Sequence, residues 1–191
     1  MELLENRIKE EGLVLPGGVL KVDSFLNHQV DAKLMMEMGK EFARLFANKG
    51  IQRILTIEAS GISMALTTAL ELDVPFVFAR KKASVLMSDP AYVEDVYSFT
   101  KQETAHITVL KKFLPAGEKV LIIDDFLANG EAALGMARIV EKAGSTVAGI
   151  GIAIEKAFQK GHSRLIEAGY HLEALASVAS LEDGKVTFTK K

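Results

Sequence analysis

Residues 120–144, VLIIDDFLANGEAALGMARIVEKAG, change hydrophobic period within a few positions, and that switch narrows the folds open to the chain. Val120 to Ile123 is an unbroken apolar run, as a strand buried on both faces requires. Ala132, Met136, Ile139 and Ala143 then recur at helical spacing, with Gly144 placed to end the helix. Val147 to Ile154 is apolar again. Strand, helix and buried strand in that order require a parallel crossover, so the fold class is α/β with a mostly parallel, twisted sheet flanked by helices.

Upstream the same order holds. Asp31 is placed to cap a helix whose apolar positions Leu34, Met38, Phe42 and Leu45 share a face, and Gly50 is its stop. Arg53 to Glu58 reads as a strand, Ala59 to Gly61 as a loop, the stretch to Leu72 as a helix and Val74 to Ala79 as the next buried strand. From Arg80 to about Thr104 the pattern is lost among charged and turn-forming residues, which reads as a long excursion over the sheet. His106 to Leu110 is a further strand, and Pro115 to Gly117 a turn. In the tail, Tyr170 to Val178 and Lys185 to Thr189 read as short edge strands. The 191 residues hold no repeat, low-complexity tract or linker, so a single domain spanning 1–191 is expected.

Ligands of open α/β sheets lie beyond the carboxyl ends of the strands, so polar residues directly after a buried strand are the first candidates. Asp124 and Asp125 stand there. Two adjacent carboxylates can accept hydrogen bonds from vicinal hydroxyls or hold a hydrated Mg²⁺. The small residues Ala128, Asn129, Gly130, Glu131 and Ala132 follow, opening a helix whose free N–H groups can surround a phosphate. Diol and metal acceptors followed at once by an anion cradle describe a site for a ribose 5-phosphate.

Other chemistries are excluded by what the sequence lacks. GxxxxGK[ST] is absent, and Gly149 and Gly151 lie inside an apolar strand with Ile154 where a dinucleotide fingerprint needs its third glycine. Ser60 lacks the flanking glycines of a nucleophile elbow. The histidines at 28, 106, 162 and 171 show no metal-ligand spacing, and the chain has no cysteine. A net charge of −2 with acids throughout the first 30 residues gives no basic arm for nucleic acid or for an anionic membrane surface. No apolar run spans a bilayer and no secretory leader is visible, so a cytoplasmic location is expected.

VLIIDDFLANGEA resembles the phosphoribosyl diphosphate (PRPP) motif of the type I phosphoribosyltransferases. That resemblance implies a small hood over a base site, formed by N- and C-terminal segments, with Asp124 and Asp125 on the ribose hydroxyls and 128–132 on the 5-phosphate. Threonines and paired glycines, usual in this loop, are replaced here by Asn129, Gly130 and Glu131. KVDSFLNHQVD, TIEASGI, FARKK, YSFTKQ and IEKAF extend the resemblance over nearly the whole chain, toward the xanthine-using bacterial members of the family.

The implied reaction is transfer of 5-phosphoribosyl from PRPP to N9 of xanthine, giving xanthosine monophosphate and pyrophosphate in purine salvage. Guanine, hypoxanthine or adenine as acceptor, or PRPP sensing without turnover, are the alternatives. On the same resemblance, Glu58 with Ala59, Ser60 and Gly61 forms a pyrophosphate loop that in relatives often contains a non-proline cis peptide. Arg80 and Lys81 would meet the diphosphate, Tyr97 and Ser98 would belong to a flexible lid at about 82–104, and Leu20, Asn27 and Lys156 would contact xanthine. Mg²⁺ would be held mainly through PRPP, with Asp124 and Asp125 as available carboxylates, and the enzyme would be a homodimer.

Overall fold

The computed structural model describes residues 1–81, 89–98 and 103–189. Helix α1 (Glu2–Glu11), the short hairpin β1 (Leu13–Leu15) and β2 (Val19–Lys21), and a single π-helical turn at Asp23–Asn27 precede α2 (Ala32–Phe46). Asp31 caps α2, its Oδ1 accepting from Lys33 N and Leu34 N at 3.0 and 3.1 Å. Then come β3 (Arg53–Ile57), α3 (Ile62–Leu72), β4 (Phe76–Ala79), β5 (Ala91–Ser98), β6 (Glu103–Leu110), β7 (Lys119–Leu127), α4 (Glu131–Lys142), β8 (Thr146–Lys156), α5 (Gly161–Glu167), β9 (Leu172–Glu182) and β10 (Lys185–Phe188).

Six strands form one sheet in the order β10-β9-β8-β7-β3-β4, parallel except for the β9–β10 hairpin. The crossover from β3 through α3 steps toward β4, while that from β7 through α4 steps toward β8. The two diverge between β3 and β7, which makes that junction the crevice where such sheets bind ligands. One core, with Phe25, Met38, Phe42 and Met64, lies under α1, α2 and α3 on one face; the other, with Met136, Ile139 and Leu165, lies under α4 and α5.

Gly149 and Gly151 belong to this packing. A Cβ on Gly149 would come within 2.4 Å of the Phe46 ring, and one on Gly151 within 2.9 Å of Phe42. Their missing side chains let α2 seat its two phenylalanines directly on β8.

Three elements differ from the sequence expectation. The excursion after Arg80 contains an antiparallel hairpin, β5–β6, paired from Ala91↔Leu110 to Ser98↔Glu103; residues 82–88 and 99–102 of the expected lid lie outside the described residues. β7 does not stop at Ile123 but continues to Leu127, because β8 runs beside it and keeps the ladder going at Asp124↔Ile152 and Phe126↔Ile154. β9 is an 11-residue interior strand, not an edge, since Asp183 and Gly184 at positive φ turn the chain back to lay β10 over it.

The β5–β6 hairpin is fastened to α4. Val96 fills the notch at Gly135, where a Cβ would lie 2.7 Å from its side chain, and Glu94 receives Arg138 Nε at 2.8 Å and an ion pair from Lys142. Burial opposes ionisation of Glu94, but the bonds from Lys142 and Arg138 outweigh it and hold the carboxyl below its ordinary range. A depressed carboxyl stabilises above the unfolded value and loses that contribution as pH falls through the folded one. Amide protection factors across β5 should therefore drop as the pH is lowered through about 4. Glu94→Gln should show the reduced protection already at pH ~6; unaltered protection in that variant would remove the anchoring role of Glu94.

Candidate active site

β7 pairs with β3 only from Val120 to Ile122, so beyond Ile122 its ladder continues with β8 alone. This overhang opens one wall of a cleft of about 570 Å³ and carries Asp124 and Asp125 into it. Asp124 is buried at 4% exposure, its Oδ1 accepting from Asp125 N at 2.9 Å. Asp125 accepts from Phe126 N at 2.9 Å and, through Oδ2, from Asn27 Nδ2 at 3.1 Å. Burial and then the charge of Asp125 push the Asp124 carboxyl well above its usual range, with the Lys81 ammonium pulling the other way. A cation or hydroxyl donor entering here would meet a carboxylate that the free protein ionises reluctantly.

Directly beyond, Ala128 to Gly130 turns the chain into α4, with Gly130 at φ +85°. The first amides of a helix have no partner in the preceding turn, and Glu131, Ala132 and Ala133, which open α4, line the cleft. The loop is held from outside by α5: Gly161 N donates to Ala128 O at 2.9 Å, and Arg164 donates to Asn129 O at 2.6 Å and to the Glu131 carboxylate. Gly161 and Arg164 were not legible as site residues, because only tertiary packing brings them to a loop more than 30 positions away. A Cβ on Gly161 would lie 2.5 Å from Ala128 O.

The opposite wall is the end of β3. Ala59, Ser60 and Gly61 line the cleft, and the Glu58–Ala59 peptide is cis. Gly61 sits on Thr56, where a Cβ would fall 2.1 Å from Oγ1. Glu58 clamps the next strand's exit, accepting from Lys81 N at 2.7 Å and pairing with Arg80 Nε at 3.1 Å. Lys81 lines the cleft; Arg80 does not, and beside its pairing with Glu58 it lines an apolar groove along β4 with Phe78 and Phe113.

The hairpin turn Gly17–Gly18 closes the far end. Lys156 Nζ donates to Gly18 O at 3.0 Å and lies 5.8 Å from the centroid of Phe126, and burial lowers its ammonium below the ordinary lysine value. Asn27 reaches the site by its bond to Asp125. Leu20 packs in the core at 6% exposure, beside cleft-lining Val19 but not itself in the lining. Tyr97 lines the cleft from β5, and Ser98 ends that strand. Gln159, which no sequence signal singled out, lines it from the turn after β8.

A cleft at the sheet's crossover divergence, walled by paired carboxylates, a small-residue loop opening a helix and a second loop after β3, is the arrangement that comparison with known proteins resolves. Residues 21–168 match the phosphoribosyl transferase domain model. The chain belongs to the phosphoribosyltransferase family. It is 57% identical to the xanthine phosphoribosyltransferase of Lactobacillus delbrueckii subsp. bulgaricus over 188 residues, covering 98% of this chain and all of that one. With the xanthine phosphoribosyltransferase of an Exiguobacterium species it shares 56% identity over 190 residues, covering 100% of this chain and 98% of the relative. Among solved structures, the adenine phosphoribosyltransferase of Rhodothermus marinus matches with a TM-score of 0.73 at 24% identity, over 93% of this chain and 99% of that one, which shows the fold.

The expectation that the loop at 128–132 binds a 5-phosphate requires its amides to be in place before ligand arrives. Gly161→Ala should push Ala128 O away and misalign those amides. Its affinity for ribose 5-phosphate, measured by calorimetry, should fall about tenfold, the equivalent of one charged hydrogen bond lost, while the melt stays cooperative. Unchanged affinity would show that α5 does not shape the loop.

Proposed function

We propose that this enzyme transfers the 5-phosphoribosyl group of PRPP to N9 of xanthine, forming xanthosine monophosphate and releasing pyrophosphate in purine salvage. The observation that carries this reading is identity of 54–57% to xanthine phosphoribosyltransferases over essentially the whole chain, joined to a cleft with acidic, amide and cationic walls in the order that PRPP and an oxopurine require.

The bond from ribose C1 to pyrophosphate breaks as N9 bonds to C1, positive charge develops on the ribose ring, and the imidazole proton of the base leaves to solvent or to the departing pyrophosphate. No protein nucleophile is needed. Asp124 and Asp125 accept from the ribose hydroxyls, and the amides of Ala128 to Ala132 hold the 5-phosphate. The loop at Ala59, Ser60 and Gly61 binds the diphosphate with Lys81, while Arg80, through Glu58, keeps that loop and the β4 exit together. Two adjacent carboxylates suit a Mg²⁺ ion that keeps its waters and phosphate oxygens, and such an ion, carried by PRPP, supplies neutralisation of the leaving pyrophosphate.

The acceptor base lies at the Lys156 end. An ammonium there favours a 6-oxo group over the amine of adenine, which would oppose donor to donor. Asn27 ties this end to Asp125, and Leu20 supports the hairpin wall from the core side. The chain acts as one domain, with the N-terminal segment (the β1–β2 hairpin and the turn at Asp23–Asn27) and the C-terminal segment as the hood and Tyr97 and Ser98 on a lid hairpin that excludes water from PRPP. The exposed apolar strip at Phe78 and Phe113 along β4 supports a homodimer. A cysteine-free chain fits the cytoplasm.

Assay of the four purine bases with PRPP and Mg²⁺ tests the reading. Xanthine should be consumed in a PRPP-dependent manner with the highest kcat/KM. Preference for guanine, hypoxanthine or adenine would transfer the activity to that base, and PRPP binding without turnover of any base would replace catalysis by sensing.

A further inference from the structure

The cleft contains a polar group to which the mechanism gives no role. As the chain leaves β8 it turns tightly, with Gln159 N donating to Lys156 O at 2.9 Å, so that both side chains leave one turn and both line the cleft. Gln159 Oε1 is buried and, among the described residues, accepts no hydrogen bond. The other such side-chain atom among them, Thr56 Oγ1, lies in β3 beneath Gly61 and outside the cleft lining. A buried carbonyl oxygen without a donor is unfavourable, and in native proteins it marks a place where a ligand or water supplies the missing N–H or O–H.

We infer that Gln159 reads the C2 side of the acceptor purine, its carboxamide, whose Oε1 is enclosed in the free protein, rotating toward the base so that Oε1 accepts a ring N–H and Nε2 donates to the neighbouring carbonyl oxygen. The assignment rests on the acceptor reading above and sharpens it. With the Lys156 ammonium at the 6-oxo oxygen, the carboxamide from the same turn falls to the other carbonyl position of the ring. Xanthine presents C2=O flanked by N1–H and N3–H, and a carboxamide matches such an adjacent donor and acceptor atom for atom. Guanine carries an amine at C2, so Nε2 would face a second donor; hypoxanthine has no polar group at C2, and Nε2 would lose its partner. Selectivity for xanthine over the other oxopurines thus resides in one neutral side chain.

Steady-state kinetics of Gln159→Leu and Gln159→Glu at saturating Mg²⁺ and PRPP test this. Gln159→Leu should lower kcat/KM for xanthine by about tenfold or more, the loss of hydrogen bonds to a bound ligand, with the KM for PRPP held within about twofold. Gln159→Glu keeps an acceptor and replaces the donor by a second acceptor, which suits the N1–H and 2-amino group of guanine. Its ratio of kcat/KM for guanine over xanthine should rise by about tenfold or more. An unchanged base ratio in Gln159→Glu, or a change in both variants confined to the KM for PRPP, would overturn the assignment. Failure of the wild-type protein to use xanthine strikes the substrate reading itself, whereas normal wild-type turnover leaves the variants to judge Gln159 alone.

Discussion

Everything in the site depends on one mismatch in strand pairing. β3 ends its pairing with β7 at Leu55↔Ile122, whereas β8 accompanies β7 to Leu127. The unpaired flank beyond Ile122 is where two carboxylates can leave the sheet without entering a core, and it coincides with the divergence of the α3 and α4 crossovers. The cost of this placement is visible at Asp124, whose burial disfavours its charge. A site that holds a reluctant anion in this way is prepared for a ligand that brings positive charge or hydroxyl donors.

Around that overhang, backbone approaches backbone where side chains would intervene. Gly61 rests on Thr56, Gly161 on Ala128 O, and Gly149 and Gly151 admit the rings of α2 to β8. The first folds the loop after β3 back onto its own strand, the second seats α5 against the loop after β7, and the last two fix the sheet on which those loops stand. The polar ties follow the same plan: Asn27 to Asp125 and Lys156 to Gly18 bind the N-terminal segment to the sheet, and Glu58 binds the exits of β3 and β4. Rigid positioning of this kind suits a transfer reaction in which the protein forms no bond to the transferred group.

What could be read from the sequence was local. The cap at Asp31, the apolar run at Val120 to Ile123 and the small-residue turn before α4 announce themselves within a few residues of their partners, so both α2 and the heart of the cleft were legible. β5 was not, and of its partner β6 only His106 to Leu110 was, because the inward positions of β5 include Glu94, whose charge is met by Arg138 and Lys142 from another element. An inward acid breaks the alternation that identifies a strand. β9 read as an edge because nothing local in its sequence shows that β10 folds back to pair with its outer side. Gly161, Arg164 and Gln159 carry no signal of their own; they matter through the loop and the cleft they reach.

The central claim is that Asp124 and Asp125 on the β7 overhang bind the ribose and metal of PRPP. Calorimetric titration of Mg²⁺–PRPP into the wild-type protein and into the double variant Asp124→Asn, Asp125→Asn tests it directly, since asparagine keeps the acceptor oxygens of the Asp125 N and Phe126 N bonds while removing the charge. Loss of charged acceptors worth roughly 1.5–3 kcal/mol each predicts binding at least about tenfold weaker in a variant that still melts cooperatively. Equal affinity in the two proteins would contradict the claim and move the PRPP site elsewhere.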